Sequence, residues 1–115
     1  MVATEMPHTQ AVREAVHQQY ESLPYPARDP EEELGRLLQP TMCELPRVNA
    51  MLWGGRRVLD STFRVLDAGC GTGDATVFMA EQLRGSGARI TSLDLSAASL
   101  DIARRRLEKR GLVAS

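Results

Sequence analysis

Along this chain the apolar positions change their period several times, and each change marks an element. Ala11, Val12, Ala15, Val16 and Tyr20 recur near helical spacing, with Thr9 placed ahead of them as a cap. The spacing predicts a helix over 10–22 behind a loose lead-in at 1–8. The period breaks at Leu23-Pro24-Tyr25-Pro26-Ala27-Arg28-Asp29-Pro30, where three prolines impose an extended path. Asp29-Pro30-Glu31-Glu32 then opens a second helix, with a capping oxygen, Pro in the first turn and acidic groups at the positive end of the dipole. That helix is expected over 30–38, stopping before Pro40. A short helix over 46–53 ends at Gly54-Gly55, and 56–62 reads as polar connection.

Beyond residue 62 the pattern alternates between strand and helix. Arg64-Val65-Leu66-Asp67 is a strand, followed by a turn containing Gly69, Gly71 and Gly73. In the helix that starts at Asp74, Ala75, Phe78, Met79 and Leu83 form one apolar stripe, and Gly85-Ser86-Gly87 ends it. Arg89 to Leu93 is a second strand, ending at Asp94. Ser96 caps a last helix to about Arg110, with Leu100, Ala103 and Leu107 as its buried side and Gly111 as its stop. Strand, helix, strand, helix with short connections predicts an α/β fold. It is the first βαβα unit of a partial Rossmann-like, doubly wound parallel sheet, preceded by N-terminal helices. Residues 1–62 read as a helical lead or cap segment and 63–115 as the first half of a cofactor-binding domain.

Composition narrows the function classes. The 115 residues are 43% hydrophobic and 25% charged, with 14 basic and 15 acidic side chains and a formal net charge of −1. Such a balance fits a globular chain and points to neither a nucleic acid nor a membrane surface as partner. No apolar run is long enough for a membrane span, and the start of the chain lacks the pattern of a signal peptide. Cys43 and Cys70 are too few for a disulfide framework and form no CxxC pair, so a cytoplasmic location is expected. His8 and His17 lack metal-ligand spacing, and no metal site is expected.

The glycine turn carries the chemistry. Its spacing is GxGxG, whereas a dinucleotide turn reads GxGxxG, and the position of that third glycine holds Asp74. No Lys follows as a P-loop requires. A diphosphate on this turn would lie near Asp67 and Asp74, with no basic residue between Arg64 and Arg84. Each carboxylate would cost it on the order of 1 kcal/mol even under strong screening. A ligand bearing cations fits better, and S-adenosyl-L-methionine carries a sulfonium and an ammonium. Asp94, 21 residues after Gly73, ends the neighbouring strand, where a carboxylate can accept both ribose hydroxyls, with Leu95 against the adenine.

Val65-Leu66-Asp67-Ala68-Gly69-Cys70-Gly71-Thr72-Gly73 resembles the first motif of class I S-adenosylmethionine-dependent methyltransferases. Leu93-Asp94-Leu95-Ser96 followed by Ser99-Leu100-Asp101-Ile102-Ala103 resembles their second. Tyr20-Glu21-Ser22-Leu23-Pro24-Tyr25-Pro26 and Gly54-Gly55-Arg56-Arg57 are similar to segments upstream of that motif in one bacterial methyltransferase group, so the resemblance spans roughly 18–111. It implies that Asp67 to Cys70, Gly71 and Gly73 form the cofactor turn. Within it the glycines wrap the methionine part, Ala68 and Cys70 are small residues of the turn, and Asp67 orients the ammonium directly or through water. It implies Asp94 on the ribose, Leu95 beside it, and Tyr20 or Tyr25 as a cover over cofactor or acceptor.

Other features have plainer explanations. Asp74 reads as a helix N-terminal residue stabilised by the dipole. Cys70 has no base partner to make it a nucleophile. The basic run Arg104-Arg105-Arg106, Lys109 and Arg110 reads as cations on a solvated face near a helix C-terminus. Met51, Leu52 and Trp53 read as core.

A complete domain of this class has about seven strands by the resemblance, and this chain has two. The expectation is therefore the N-terminal, cofactor-binding part of a methyltransferase whose C-terminal half supplies the acceptor contacts, this part alone being inactive. The alternatives are an aminopropyl transferase, an NAD-dependent oxidoreductase, and a non-catalytic cofactor-binding or interaction module. No catalytic side chain is identified, because methyl transfer draws on positioning and water exclusion.

Overall fold

The protein's structure, a computed structural model, describes residues 7–112, with the side chains of residues 7–9 and of Tyr20 outside the described set. Four α-helices and two strands occur among these residues: α1 (Pro7–Ser22), α2 (Leu45–Trp53), β1 (Arg64–Ala68), α3 (Asp74–Gln82), β2 (Arg89–Leu93) and α4 (Ala97–Lys109). Two 3-10 turns, Pro30–Gly35 and Thr41–Cys43, lie between α1 and α2. None of the described helices is long and apolar enough to cross a membrane.

β1 and β2 pair in parallel, Val65 opposite Ile90 and Asp67 opposite Ser92. Alternation along each strand sends these four inward toward α3, while Leu66 and Leu93 are exposed on the other face. The result is a mixed α/β, partial Rossmann-like unit. Leu45, Phe63, Met79 and Leu83 form its core cluster, with Val65 and Ile90 packed against it. The Trp53 and Phe63 rings meet edge to face with centroids 6.2 Å apart, which joins α2 to the α/β unit.

The expected elements recur with four differences. α1 begins at Pro7, so Thr9 lies inside the helix; Pro suits a first turn, whose N–H groups lack helical partners. Its Val12 and Val16 are exposed, and α1 meets α4 at its C-terminal end, where Glu21 accepts from the Ala98 N–H at 2.9 Å.

The helix expected over 30–38 is only a six-residue 3-10 turn. Asp29 does cap it, accepting from the Glu31 N–H at 3.0 Å, but Arg36 is already extended. The buried side of α3 is wider than one stripe: Thr76 and Val77 are buried as well, because α4 and the glycine turn cover the helix from the side. Met51 and Leu52 are exposed rather than core, since Leu45 is the α2 residue that faces α3.

Gln82 of α3 stitches the entry of α2 in place. Its Oε1 accepts from the Leu45 N–H at 2.8 Å and its Nε2 donates to the Cys43 carbonyl at 2.9 Å. The first of those bonds satisfies an N–H that an α-helix start would otherwise leave unpaired.

Candidate functional site

β1 ends into the glycine turn, and β2 ends beside it. The Gly69 and Cys70 N–H groups donate to the Leu93 carbonyl at 2.7 and 3.0 Å, and the Gly73 N–H to the Cys70 carbonyl at 3.1 Å. Gly69, Gly71 and Gly73 all have positive φ, which a side chain would resist. Asp94 completes the tie. Its Oδ2 accepts from the Gly71 N–H at 2.8 Å, and its Oδ1 from the Ser96 N–H at 2.9 Å. Ser96 in turn caps α4, its Oγ accepting from the Ser99 N–H at 3.0 Å.

A cleft of about 640 Å³ opens at this edge, lined by Tyr25, Gly69, Gly71, Leu93, Asp94, Leu95 and Ser99. Leu95 is 80% exposed and Tyr25 71%, so apolar surface stands bare on either side of a carboxylate. A Cβ on Gly69 would meet nothing within 4 Å. The backbone there is open to a close-lying ligand.

Five of the residues expected at the site thus come together on the cleft wall: Gly69, Gly71, Asp94, Leu95 and Tyr25. Asp67, Ala68, Cys70 and Gly73 do not line it. Asp67 points to the helix side of the sheet, where its Oδ2 accepts from Thr76 Oγ1 at 2.6 Å, and Thr76 meets Ser92 Oγ at 2.8 Å. Ala68 ends β1 on the exposed face, and Cys70 is buried. Burial, followed by the nearby charges of Asp67 and Asp94, pushes the Cys70 thiol up to about 11, so it stays protonated at neutral pH. Gly73 packs under the turn: a Cβ there would lie 2.8 Å from the Ala103 Cβ of α4. The side chain of Tyr20 is outside the described residues.

The largest departure concerns charge. Asp74 is not a bare helix-start carboxylate. Arg28 Nε and Nη2 donate to its two oxygens at 2.9 and 2.7 Å, and Arg106 Nη1 donates to Oδ1 at 2.9 Å. Burial alone would raise the Asp74 carboxyl; the bonds from the two arginines outweigh it and hold it below the usual carboxylate range. Asp74 therefore repels an anion far less than its place beside the turn implies, and the charge argument against a diphosphate passes to Asp94 on the cleft wall.

The basic run of α4 is a solvated face only in part, because Arg106 and Arg110 turn inward. Arg106 is 2% exposed and also donates to Glu33 at 2.6 Å and to the Thr72 carbonyl at 2.9 Å. Arg110 Nε reaches the same Glu33 at 2.5 Å. Arg104, Arg105 and Lys109 are the exposed members, Arg104 paired with Asp101 and Glu108 and Lys109 with Glu31.

Comparison with known proteins bears on the turn directly. Residues 65–115 match a family model described as a methyltransferase domain. Over 49 residues the chain is 47% identical to a ubiquinone biosynthesis O-methyltransferase of Methylocella silvestris. Both matches support a methyltransferase domain of the class I, S-adenosylmethionine-dependent kind. The stretch shared with the Methylocella protein covers 43% of this chain and 18% of that relative, so this chain spans a small part of the relative's length. No solved structure matches the chain.

At this site, sequence reasoning missed Arg28, Glu33, Thr72 and Arg106 as builders. A signal existed for one of them. Ser99, Ala103, Arg106 and Arg110 recur at helical spacing, so both arginines share the face of α4 that Ala103 buries.

Proposed function

We propose that the cleft at the glycine turn binds S-adenosyl-L-methionine and that the protein transfers the cofactor's methyl group to an acceptor. The observation carrying this reading is the Asp94 carboxylate on the cleft wall, flanked by exposed Leu93 and Leu95 and by the open backbone of Gly69.

The donor set suits the ligand. Each Asp94 oxygen holds one backbone N–H and keeps further lone pairs, enough to accept two ribose hydroxyls. Leu95 offers apolar surface to the adenine, Gly69 leaves room for the methionine chain, and Gly71 lets the Tyr25 backbone pass over the turn. Asp67, held by Thr76, acts on the ammonium through water. Cys70 and Ala68 keep the turn small, and Gly73 lets it sit on α4. When bound, the cofactor supplies a methyl group activated by its sulfonium. The chain's own residues bind and orient it and help to exclude water, an arrangement in which positioning supplies much of the catalysis.

Residues 1–62 act as a cap on 63–115 in this reading, and Tyr25 is its contribution to the rim. The uncovered sheet face at Leu66 and Leu93 is completed by further polypeptide, which brings the acceptor contacts. Such an arrangement leaves the 115-residue chain with weak cofactor binding and no turnover. Its location is cytoplasmic, and its ligand is the small-molecule cofactor rather than a membrane or a nucleic acid. The O-methyltransferase name of the Methylocella relative supports methyl transfer as the reaction.

Amide NMR titration of the chain with S-adenosylhomocysteine and, separately, with NAD tests the reading. The expected outcome is a graded shift at Gly69 and Gly71 with the former and none with the latter. Shifts with NAD alone would favour an oxidoreductase and refute the proposal. Micromolar affinity in calorimetry would refute the weak binding expected of this chain by itself.

A further inference from the structure

The prolines of residues 23–30 make a strap that crosses the glycine turn, and three contacts pin it there. The Tyr25 carbonyl oxygen lies 2.6 Å from the place a Cβ on Gly71 would take, so the two backbones touch. Thr72, fully buried, donates from Oγ1 to the Pro26 carbonyl at 2.5 Å. Arg28 closes the strap with its two-pronged bond to Asp74.

The anchor for that bond is firm. Asp74 begins α3 and is held from behind by Arg106, which also grips the Thr72 carbonyl of the same turn. A planar guanidinium on a carboxylate fixes direction as well as distance. Tyr25 lies three residues before Arg28 and itself makes the first of the three contacts. Its backbone is clamped while its side chain remains exposed on the cleft rim with Asp94 and Leu95. A large ring held out over a cleft by a fixed backbone is pre-organised to cover whatever enters, because little freedom is left to lose on contact.

We propose that Arg28, through Asp74, is a positioning residue of the cofactor site: it sets the strap so that the Tyr25 ring covers the S-adenosyl ligand bound on Asp94. The inference rests on the cofactor reading above. Arg28 touches no ligand itself. Its role is to hold the cover at the right height, and Thr72 supports it from the turn side.

The test is a titration of the chain with S-adenosylhomocysteine, followed at the Gly69 and Gly71 amides and at the Tyr25 ring, in the native protein and in Arg28→Ala and Arg28→Lys. In the native chain all three signals move together. In Arg28→Ala the glycine amides still move, affinity falls about 3- to 10-fold, and the Tyr25 shift is lost. Arg28→Lys, which keeps the charge and a single bond, recovers more than half of the Tyr25 shift.

A Tyr25 shift of native size in Arg28→Ala would overturn the positioning role while leaving the cofactor reading intact, as would a Lys variant no better than Ala. Motionless glycine amides in the native protein would overturn both. Amide exchange at 23–30 without ligand gives a readout that needs no binding. It rises in Arg28→Ala and stays unchanged in Arg104→Ala, whose partners Asp101 and Glu108 lie on the exposed side of α4. Equal exchange in the two variants would overturn the strap argument.

Discussion

Replacing Gly73 by Ala puts two separable strains into the chain. Gly73 has φ +97°, where an L side chain costs about 1–2 kcal/mol. The new methyl would also lie 2.8 Å from the Ala103 Cβ and 3.2 Å from its Cα. The second contact is with backbone, so α3 and α4 must part, and overpacking of this kind costs about 1–3 kcal/mol. Together the loss is about 2–5 kcal/mol, a large share of a small domain's stability.

Gly69→Ala is the matched control, with φ +71° and open space around the methyl, so it carries only the first strain. Urea unfolding followed by circular dichroism at constant m-value gives both losses. The difference between them is the clash, expected at about 1–3 kcal/mol. Loss of the cooperative transition in Gly73→Ala marks the upper end. A difference under about 0.5 kcal/mol, no larger than ordinary surface substitutions produce, would refute the close approach of turn and helix. Ala103→Gly should cost less in the Gly73→Ala background than in the native one, a coupling of at least about 0.5 kcal/mol, as contacting residues show.

Further outcomes follow from the charges and the thiol. Arg106→Ala leaves buried Glu33 and half-buried Asp74 each short of a partner and should cost about 3–5 kcal/mol in the same unfolding assay, against near-zero for Arg104→Ala. The depressed Asp74 carboxyl contributes stability that is present above its unfolded value near 4 and fades as pH falls through its lower folded value. Acid unfolding curves of Asp74→Asn should therefore be flatter than those of the native chain below about pH 4. With its thiol at about 11, Cys70 is ionised in roughly one molecule in ten thousand at pH 7, so iodoacetamide should label it slowly until denaturant is added. Fast labelling of the folded chain, read by peptide mass spectrometry, would contradict its burial.

What the sequence made legible was local. Gly69, Gly71 and Gly73 announce a turn because their spacing follows directly from the backbone angles it needs, and Ser96 announces α4 because a cap bonds within its own first turn. The parallel pairing of β1 and β2 follows from the length of chain between them.

The arginine cluster was illegible for the opposite reason. Arg28 and Asp74 are 46 residues apart, and Glu33 and Arg106 are 73 apart. No periodicity relates them, and each looks like an ordinary surface charge in its own segment. Charge counted along the chain therefore misjudged Asp74. The same blindness hid the fate of the 30–38 segment. Its start carries every helix signal, but Glu33 is drawn to Arg106 and Arg110, and the chain is extended by Arg36.

Asp94 joins two tasks in one side chain. The carboxylate that faces the cleft is also the peg on which Gly71 and the start of α4 hang. For a lineage carrying this fold, a change at 94 is therefore tested first by folding and only afterwards by ligand. On the proposed cofactor reading, a variant at 94 that blurs sugar recognition also unties the turn from α4, so the contact is guarded by stability as well as by binding.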